Sequence, residues 1–239
     1  MSAPWYEQFF GHDYARFDRH PDTGREIAFL QQVLPEPPAR VLDLACGTGR
    51  HAAPMSRAGY DVVGLDLSPV LLSRARKKRS TVQWLRADMS RIPLRDGSCD
   101  AVISLFSSIG YFDDESDNYR VLSEASRVLR KGGRLVIETV NRDFFIRHAP
   151  PQSWFWQGAL TVLEERRMDP LTSRSEVDVV VLEGGRHRVY HHSIRLYTAA
   201  ELATLLASTG VEVLDVFGDY DGAALSFDTA RMVVVGERR

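Results

Sequence analysis

The sequence predicts an α/β fold in which a doubly wound, seven-stranded sheet carries an inserted antiparallel β meander. Three observations carry that expectation. Short apolar runs alternate with stretches of helical period through the first part of the chain, the rhythm that builds a parallel sheet. The run Val41-Leu-Asp-Leu-Ala-Cys-Gly-Thr-Gly-Arg-His51 joins a buried strand to a helix start through a glycine-rich turn, and Asp66 ends the next apolar run. Residues 158–197 then break the rhythm, alternating β-branched with polar residues around two turn signals.

Taken in order, a strand is expected over 41–45, a helix over 50–58 and a strand over 61–65. Pro54 sits in that helix, where its missing N–H is expected to bend the axis. A helix over 69–78, strands over 82–86 and 100–105, a helix over 116–130 and a strand over 134–139 continue the pattern, with Gly132-Gly133 as the helix terminator. The meander reads as three strands, 159–168, 173–182 and 186–197, joined by Asp169-Pro170 and by Gly184-Gly185, a strong hairpin signal. A helix over 198–209 opens with the capping box Thr198-x-x-Glu201 and presents Leu202, Leu205 and Leu206 before ending at Gly210. Strands over 211–217 and 232–235 complete the set of seven. The amino-terminal segment is dense in aromatics: Phe9, Phe10 and Phe17 are expected to pack against the sheet as ordinary core.

The chemistry sits at the ends of the strands. Gly47 and Gly49 allow positive φ and a close approach of backbone to a bound nucleoside. Gly47-x-Gly49-x-x-Ala52 also satisfies a dinucleotide fingerprint, with Asp66 near the distance expected for a ribose contact. Asp43 separates the two readings. A carboxylate aimed into the cradle repels a pyrophosphate and attracts a ligand bearing an ammonium and a sulfonium. Asp43-x-x-Cys-Gly47-x-Gly49 therefore resembles the acidic glycine-rich loop of the class I S-adenosylmethionine-dependent methyltransferases, and the predicted sheet is then of their Rossmann-like type, its last strand antiparallel. Val82 to Met89, Asp100 to Phe106 and Leu129 to Glu138 resemble three further segments of that family, in the same order.

The resemblance implies roles for single residues. Asp43, Ala45 and Gly47 line the methionine part of S-adenosylmethionine, Gly49 belongs with them to the cofactor-binding loop, and Asp66 accepts from the ribose hydroxyls, with Leu67 beside it. An ionised carboxylate offers only acceptors and a vicinal diol two donors, so the match is chemically sound. Asp88 takes the adenine amino group, the Met89 N–H a ring nitrogen, and Leu105 closes over the methionine moiety. Tyr14 and Tyr6 belong to an N-terminal helical lid segment, residues 1–36, while 37–149 and 196–239 form the cofactor-binding core and 150–195 the inserted substrate-lid strands. His191, in the meander, and Tyr111, after the fourth strand, are the candidate catalytic side chains. His191 and His192 point to opposite faces, so at most one of them meets the pocket. The expected activity is methyl transfer to an O or N atom, less favourably C, of a small-molecule acceptor, leaving S-adenosyl-L-homocysteine. A sulfonium is already an activated electrophile, so alignment and exclusion of water are the main tasks, and a base is needed only where the acceptor must lose a proton.

Composition bounds the alternatives. A formal charge of −2 and a pI near 6.4 argue against a protein-wide footprint for nucleic acid. The dense basic run Arg74 to Arg79 falls at a helix end, where cations meet the dipole. The fourth strand ends Leu105-Phe106-Ser107-Ser108, without the Asn/Asp-Pro-Pro-aromatic sequence used on planar nitrogens or a Pro-Cys pair for pyrimidines. A tRNA or rRNA methyltransferase, a non-catalytic S-adenosylmethionine-binding module and a nicotinamide oxidoreductase are the competing readings. Two cysteines and no signal-peptide or membrane-spanning run point to a cytoplasmic protein, without a metal site, as monomer or homodimer.

Overall fold

The computed structural model describes residues 4–17 and 20–239; residues 1–3, 18 and 19 of the expected lid segment lie outside the described residues. The chain opens with three helices, α1 (Trp5–Phe9), α2 (Tyr14–Phe17) and α3 (Thr23–Val33). The main sheet then begins with β1 (Arg40–Leu44), α4 (Ala52–Arg57), β2 (Asp61–Asp66), α5 (Pro69–Ala75) and β3 (Gln83–Arg86). It continues with β4 (Cys99–Ser104), α6 (Glu115–Val128) and β5 (Leu129–Val140). After α7 (Arg142–His148) the chain leaves for a second sheet, β6 (Gln152–Gln157), β7 (Leu160–Asp169), β8 (Arg174–Glu183) and β9 (Arg186–Arg195). It returns through α8 (Ala199–Ser208) to β10 (Val211–Phe217) and β11 (Arg231–Arg238).

The seven-stranded sheet has the order β10-β11-β5-β4-β1-β2-β3, with β11 antiparallel to both of its neighbours. Strand order reverses between β1 and β4, the switch point at which such sheets leave a crevice beyond their C-terminal ends. The central strands read as unbroken apolar runs because both faces are covered. Leu42, Val63 and Val102 pack with Leu122 of α6 and Leu202 and Leu206 of α8 on one face. On the other, Val41, Val62 and Ile103 meet Phe29 and Leu30 of α3 and Met55 of α4.

Several local expectations shift. The helix of Pro54 starts only at Ala52, so the proline falls in the first turn, where its N–H would have no intrahelical partner, and nothing there needs to bend. α5 stops at Ala75, leaving Arg76 to Arg79 beyond its end. Gly132 and Gly133 lie within β5, where pairing jumps from Cys99↔Leu129 to Ala101↔Arg134, so the glycines make a bulge inside the strand. The inserted sheet has four strands, order β6-β7-β8-β9; the additional one, β6, joins β7 through Gly158 at φ +60. Its inner face, Leu160, Val162, Val177, Val179 and Val181, is covered by Phe9 and Phe17. Those two aromatics are core, as expected, but of the second sheet and not the first.

Candidate functional site

A cavity of about 350 Å³ opens at the switch point, within the usual size of small-molecule sites. Its floor is the loop after β1. Ala45 and Gly47 take φ +58 and +55, which turns successive backbone N–H groups toward the end of β2. Cys46 N–H donates to the Leu65 carbonyl at 2.9 Å, and Gly47 N–H to Asp66 Oδ2 at 2.8 Å. Ser68 N–H donates to Asp66 Oδ1 at 2.8 Å, so backbone donors fix both carboxylate oxygens and each keeps acceptor capacity. A Cβ built on Gly47 meets no protein atom within 4 Å, and the residue lines the cavity: the space beside it is ligand space. Gly49 has a different reason to be glycine. Its Cβ would fall 2.3 Å from the Trp84 indole, which packs over both Gly49 and Gly64.

The wall beyond β4 is strained. Phe106 and Ser107 adopt φ +63 and +55, which costs non-glycine residues about 1–3 kcal/mol each. Buried Glu138 holds them: its carboxylate accepts from the Phe106 N–H and its carbonyl from the Ser107 N–H at 3.1 Å. The roof is the N-terminal segment. Tyr6, Phe10 and Tyr14 line the cavity with Tyr111 and Phe112, and Phe10 stacks on Tyr111 at 5.4 Å. Ser68 Oγ donates to the Phe10 carbonyl at 2.7 Å and Trp5 Nε1 to the Tyr111 carbonyl at 3.1 Å, fastening this roof to the core.

Charge at the site is set by burial. Asp43 is 2% exposed and accepts from Ala52 N–H at 3.1 Å; burial pushes its carboxyl up to about 7. Burial also raises Asp66 and keeps the Cys46 thiol protonated. Behind the loop, burial would raise Glu26, but hydrogen bonds from His51 and Arg50 hold it down at about 2. His51, pushed by burial to about 4, is neutral at pH 7 and pairs with Glu26 at 2.7 Å. Arg50 Nη2 is buried and has no hydrogen-bond partner among the described residues. Carboxylate acceptors on the wall and an open glycine cradle suit a nucleoside that carries positive charge.

Comparison with known proteins agrees. Residues 42–137 match a methyltransferase domain family. A glycine/sarcosine N-methyltransferase of Parasynechococcus marenigrum is 30% identical, over 90% of this chain and 80% of that protein. Among solved structures, the CcbJ methyltransferase of Streptomyces caelestis superposes with a TM-score of 0.87 at 21% identity, over 100% of this chain and 99% of that one. The sugar N-methyltransferase KedS8 of a Streptoalloteichus species gives 0.72 at 26% identity, over 100% and 94%. The chain is a class I S-adenosylmethionine-dependent methyltransferase.

In this methyltransferase the cavity brings together Tyr14, Asp43, Ala45, Gly47, Asp66, Leu67, Asp88, Met89, Leu105 and Tyr111. Gly49 is outside the lining, beneath Trp84, and so is His191. The alternation that puts His191 and His192 on opposite faces of β9 leaves His191 exposed, with Nδ1 on Asp178 and Nε2 on Glu176, each at 2.9 Å. His192 is the inward one, yet it packs on Trp5 and Phe9 rather than lining the cavity. Sequence reasoning passed over Arg50, His20, Phe106 and Ser108, all of which line it. Arg50 adjoins the glycine loop, a visible signal, whereas His20 is placed only by the fold, its ring 4.1 Å from Phe106.

Proposed function

We propose that this enzyme methylates a nitrogen or oxygen of a small-molecule acceptor held at the aromatic end of the cavity. The observation that carries the reading is the roof. Tyr6, Phe10, Tyr111 and Phe112 line the cavity under an N-terminal segment bonded to the core, which favours a compact acceptor over a macromolecular strand. The two relatives named as N-methyltransferases, of glycine/sarcosine and of a sugar, support nitrogen. Aromatic faces also favour a cationic amine.

When bound, S-adenosylmethionine supplies a methyl group on a sulfonium, activated for in-line attack. The chain's own residues bind and align. Asp66 is set to accept from the ribose hydroxyls, Asp88 from the adenine amino group, and Asp43 faces the ammonium end. Leu105, Phe106 and the aromatic roof exclude water and hold the acceptor against the methyl group. His20 replaces His191 as the candidate proton acceptor because it lines the cavity, its ring against Phe106, and His191 does not. Tyr111 remains a candidate for orienting the acceptor.

The test is transfer of labelled methyl from S-adenosylmethionine into pools of small amines and hydroxylated compounds, with total RNA in parallel. Label in a small amine or alcohol is expected. Label confined to RNA would overturn the reading.

A further inference from the structure

The two sheets end in four edge strands, and three of these carry the features that keep an edge from pairing with another chain. β10 holds exposed Glu212 and Asp215 and a register shift between Val213 and Asp215. β3 has only four residues, the last of them Arg86. β9 carries Arg186, His187 and Arg188, and its far end is tied to the core where the Arg195 N–H donates to the Gly110 carbonyl at 2.9 Å. β6 has none of these guards. Its six residues, Gln152-Ser-Trp-Phe-Trp-Gln157, hold no charge and no proline, pair with β7 without a register shift, and meet no second strand among the described residues. Trp154 and Trp156 stand exposed on its outer face, their ring centroids 4.5 Å apart.

The backbone of β6 has a definite polarity as well. The turn Gly158-Ala159 closes the hairpin to β7, so Gln157↔Leu160 is the hydrogen-bonded closing pair and the pattern alternates from there. Ser153, Phe155 and Gln157 turn their amides toward β7, whereas Trp154 and Trp156 turn theirs to the open edge. About Phe155 the strand reads nearly the same in both directions, with a tryptophan on either side.

We propose that β6 is a dimerisation edge, pairing antiparallel with β6 of a second copy of this chain about a two-fold axis at Phe155. In that register each Trp154 lies opposite the second copy's Trp156, and the outward N–H and C=O groups of each such pair bond to one another. Phe155 meets its own copy as the intervening non-hydrogen-bonded pair, in which side chains stand closest. Aromatic cross-strand pairs add to the backbone bonds, and no like charges meet because the strand has none. A strand that complements itself is what an isologous interface requires, which singles out a second copy as the occupant.

Sedimentation equilibrium of the full-length protein tests this without any ligand. The wild type should approach twice the mass of the chain at high concentration and dissociate on dilution. Trp154→Pro removes an outward N–H and no bond to β7, so it should stay folded and sediment as a monomer; Trp154→Lys, which supplies an edge charge, should do the same. Phe155→Cys should form an intermolecular disulfide on mild oxidation, since the equivalent Cα atoms fall within disulfide reach across the axis, and the native Cys46 and Cys99 are buried. A wild type that is monomeric at every concentration would overturn the proposal. So would a dimer that survives the Trp154 substitutions, or one that leaves Phe155→Cys unlinked. Should Trp154→Pro not fold, Trp154→Lys decides in its place.

Discussion

Asp43 shows what burial does to a single carboxyl. A carboxylate with one backbone hydrogen bond in a site 2% exposed is more comfortable protonated, hence its rise from 3.8 to about 7. Because the folded-state value is raised, the native protein holds this proton more tightly than the unfolded chain. The resulting stability is complete below about pH 3.8 and is lost as pH rises through about 7. Asp43→Asn keeps an acceptor for Ala52 without the charge, so it should stabilise the protein at pH 8 by about 1–3 kcal/mol and change little at pH 4. The same variant should bind S-adenosylhomocysteine more weakly at pH 8, since the ammonium loses its counter-charge. Thermal melts across pH, paired with calorimetry, check both halves; equal stability of the two proteins at pH 8 would disprove the linkage. Asp66 works differently, through geometry. Asp66→Asn should cost about 1–2 kcal/mol of S-adenosylhomocysteine affinity, because a charged acceptor of the ribose hydroxyls becomes a neutral one. Unchanged affinity would remove Asp66 from the ribose site.

At the scale of the elements, the two glycines of the loop after β1 look alike in sequence and differ in what surrounds them. Gly47→Ala should leave a folded protein with poor cofactor binding, since its Cβ enters open cavity space. Gly49→Ala should unfold more readily, by about 1–3 kcal/mol, because its Cβ meets Trp84 at 2.3 Å and φ is +70. Denaturant titration and calorimetry on both variants would show the division, and a Gly49→Ala protein as stable as wild type would refute it. The loop itself was legible because strand, glycine turn and acidic strand tip are all local signals. The seven strands and the antiparallel last one were equally readable through the family resemblance, and the capping box of α8 appears as expected, with Thr198 N–H on Glu201 at 2.8 Å. β6 was missed for a physical reason. Trp154 and Trp156 are 58% and 69% exposed, so large apolar residues stand on its solvent face and the usual alternation is inverted. His191 failed for another: alternation fixes that neighbours on a strand face opposite ways, but only the packed partner decides which face is inside.

For the whole molecule, the unforeseen result is the partner of the N-terminal segment. Aromatic density announced burial at Phe9 and Phe17, but no local pattern says against which sheet. Both lie on the inserted sheet, where buried Asp13, 7% exposed, pairs with the Arg188 guanidinium through Nε and, at 2.9 Å, through Nη2. Tyr190 adds its hydroxyl at 2.7 Å, and the Gly110 backbone of the core abuts β9 so closely that a Cβ there would sit 2.3 Å from the Arg195 carbonyl oxygen. Roof and inserted sheet thus pack against each other, and both are bonded to the core. Asp13→Ala removes an acceptor from two partners at once. Arg188 is 37% exposed and can turn to water, so the loss should be about 1–2 kcal/mol, below that of a fully buried pair. The larger consequence should fall on the roof, since Tyr6, Phe10 and Tyr14 flank Asp13 in sequence and line the cavity. Hydrogen exchange should quicken across residues 5–17 and β9 together, and acceptor turnover should fall several-fold more than affinity for S-adenosylhomocysteine, whose proposed polar contacts come from β1, β2 and the segment after β3. Faster exchange in the helices alone, with β9 unaffected, would show that the roof moves independently of the sheet beneath it.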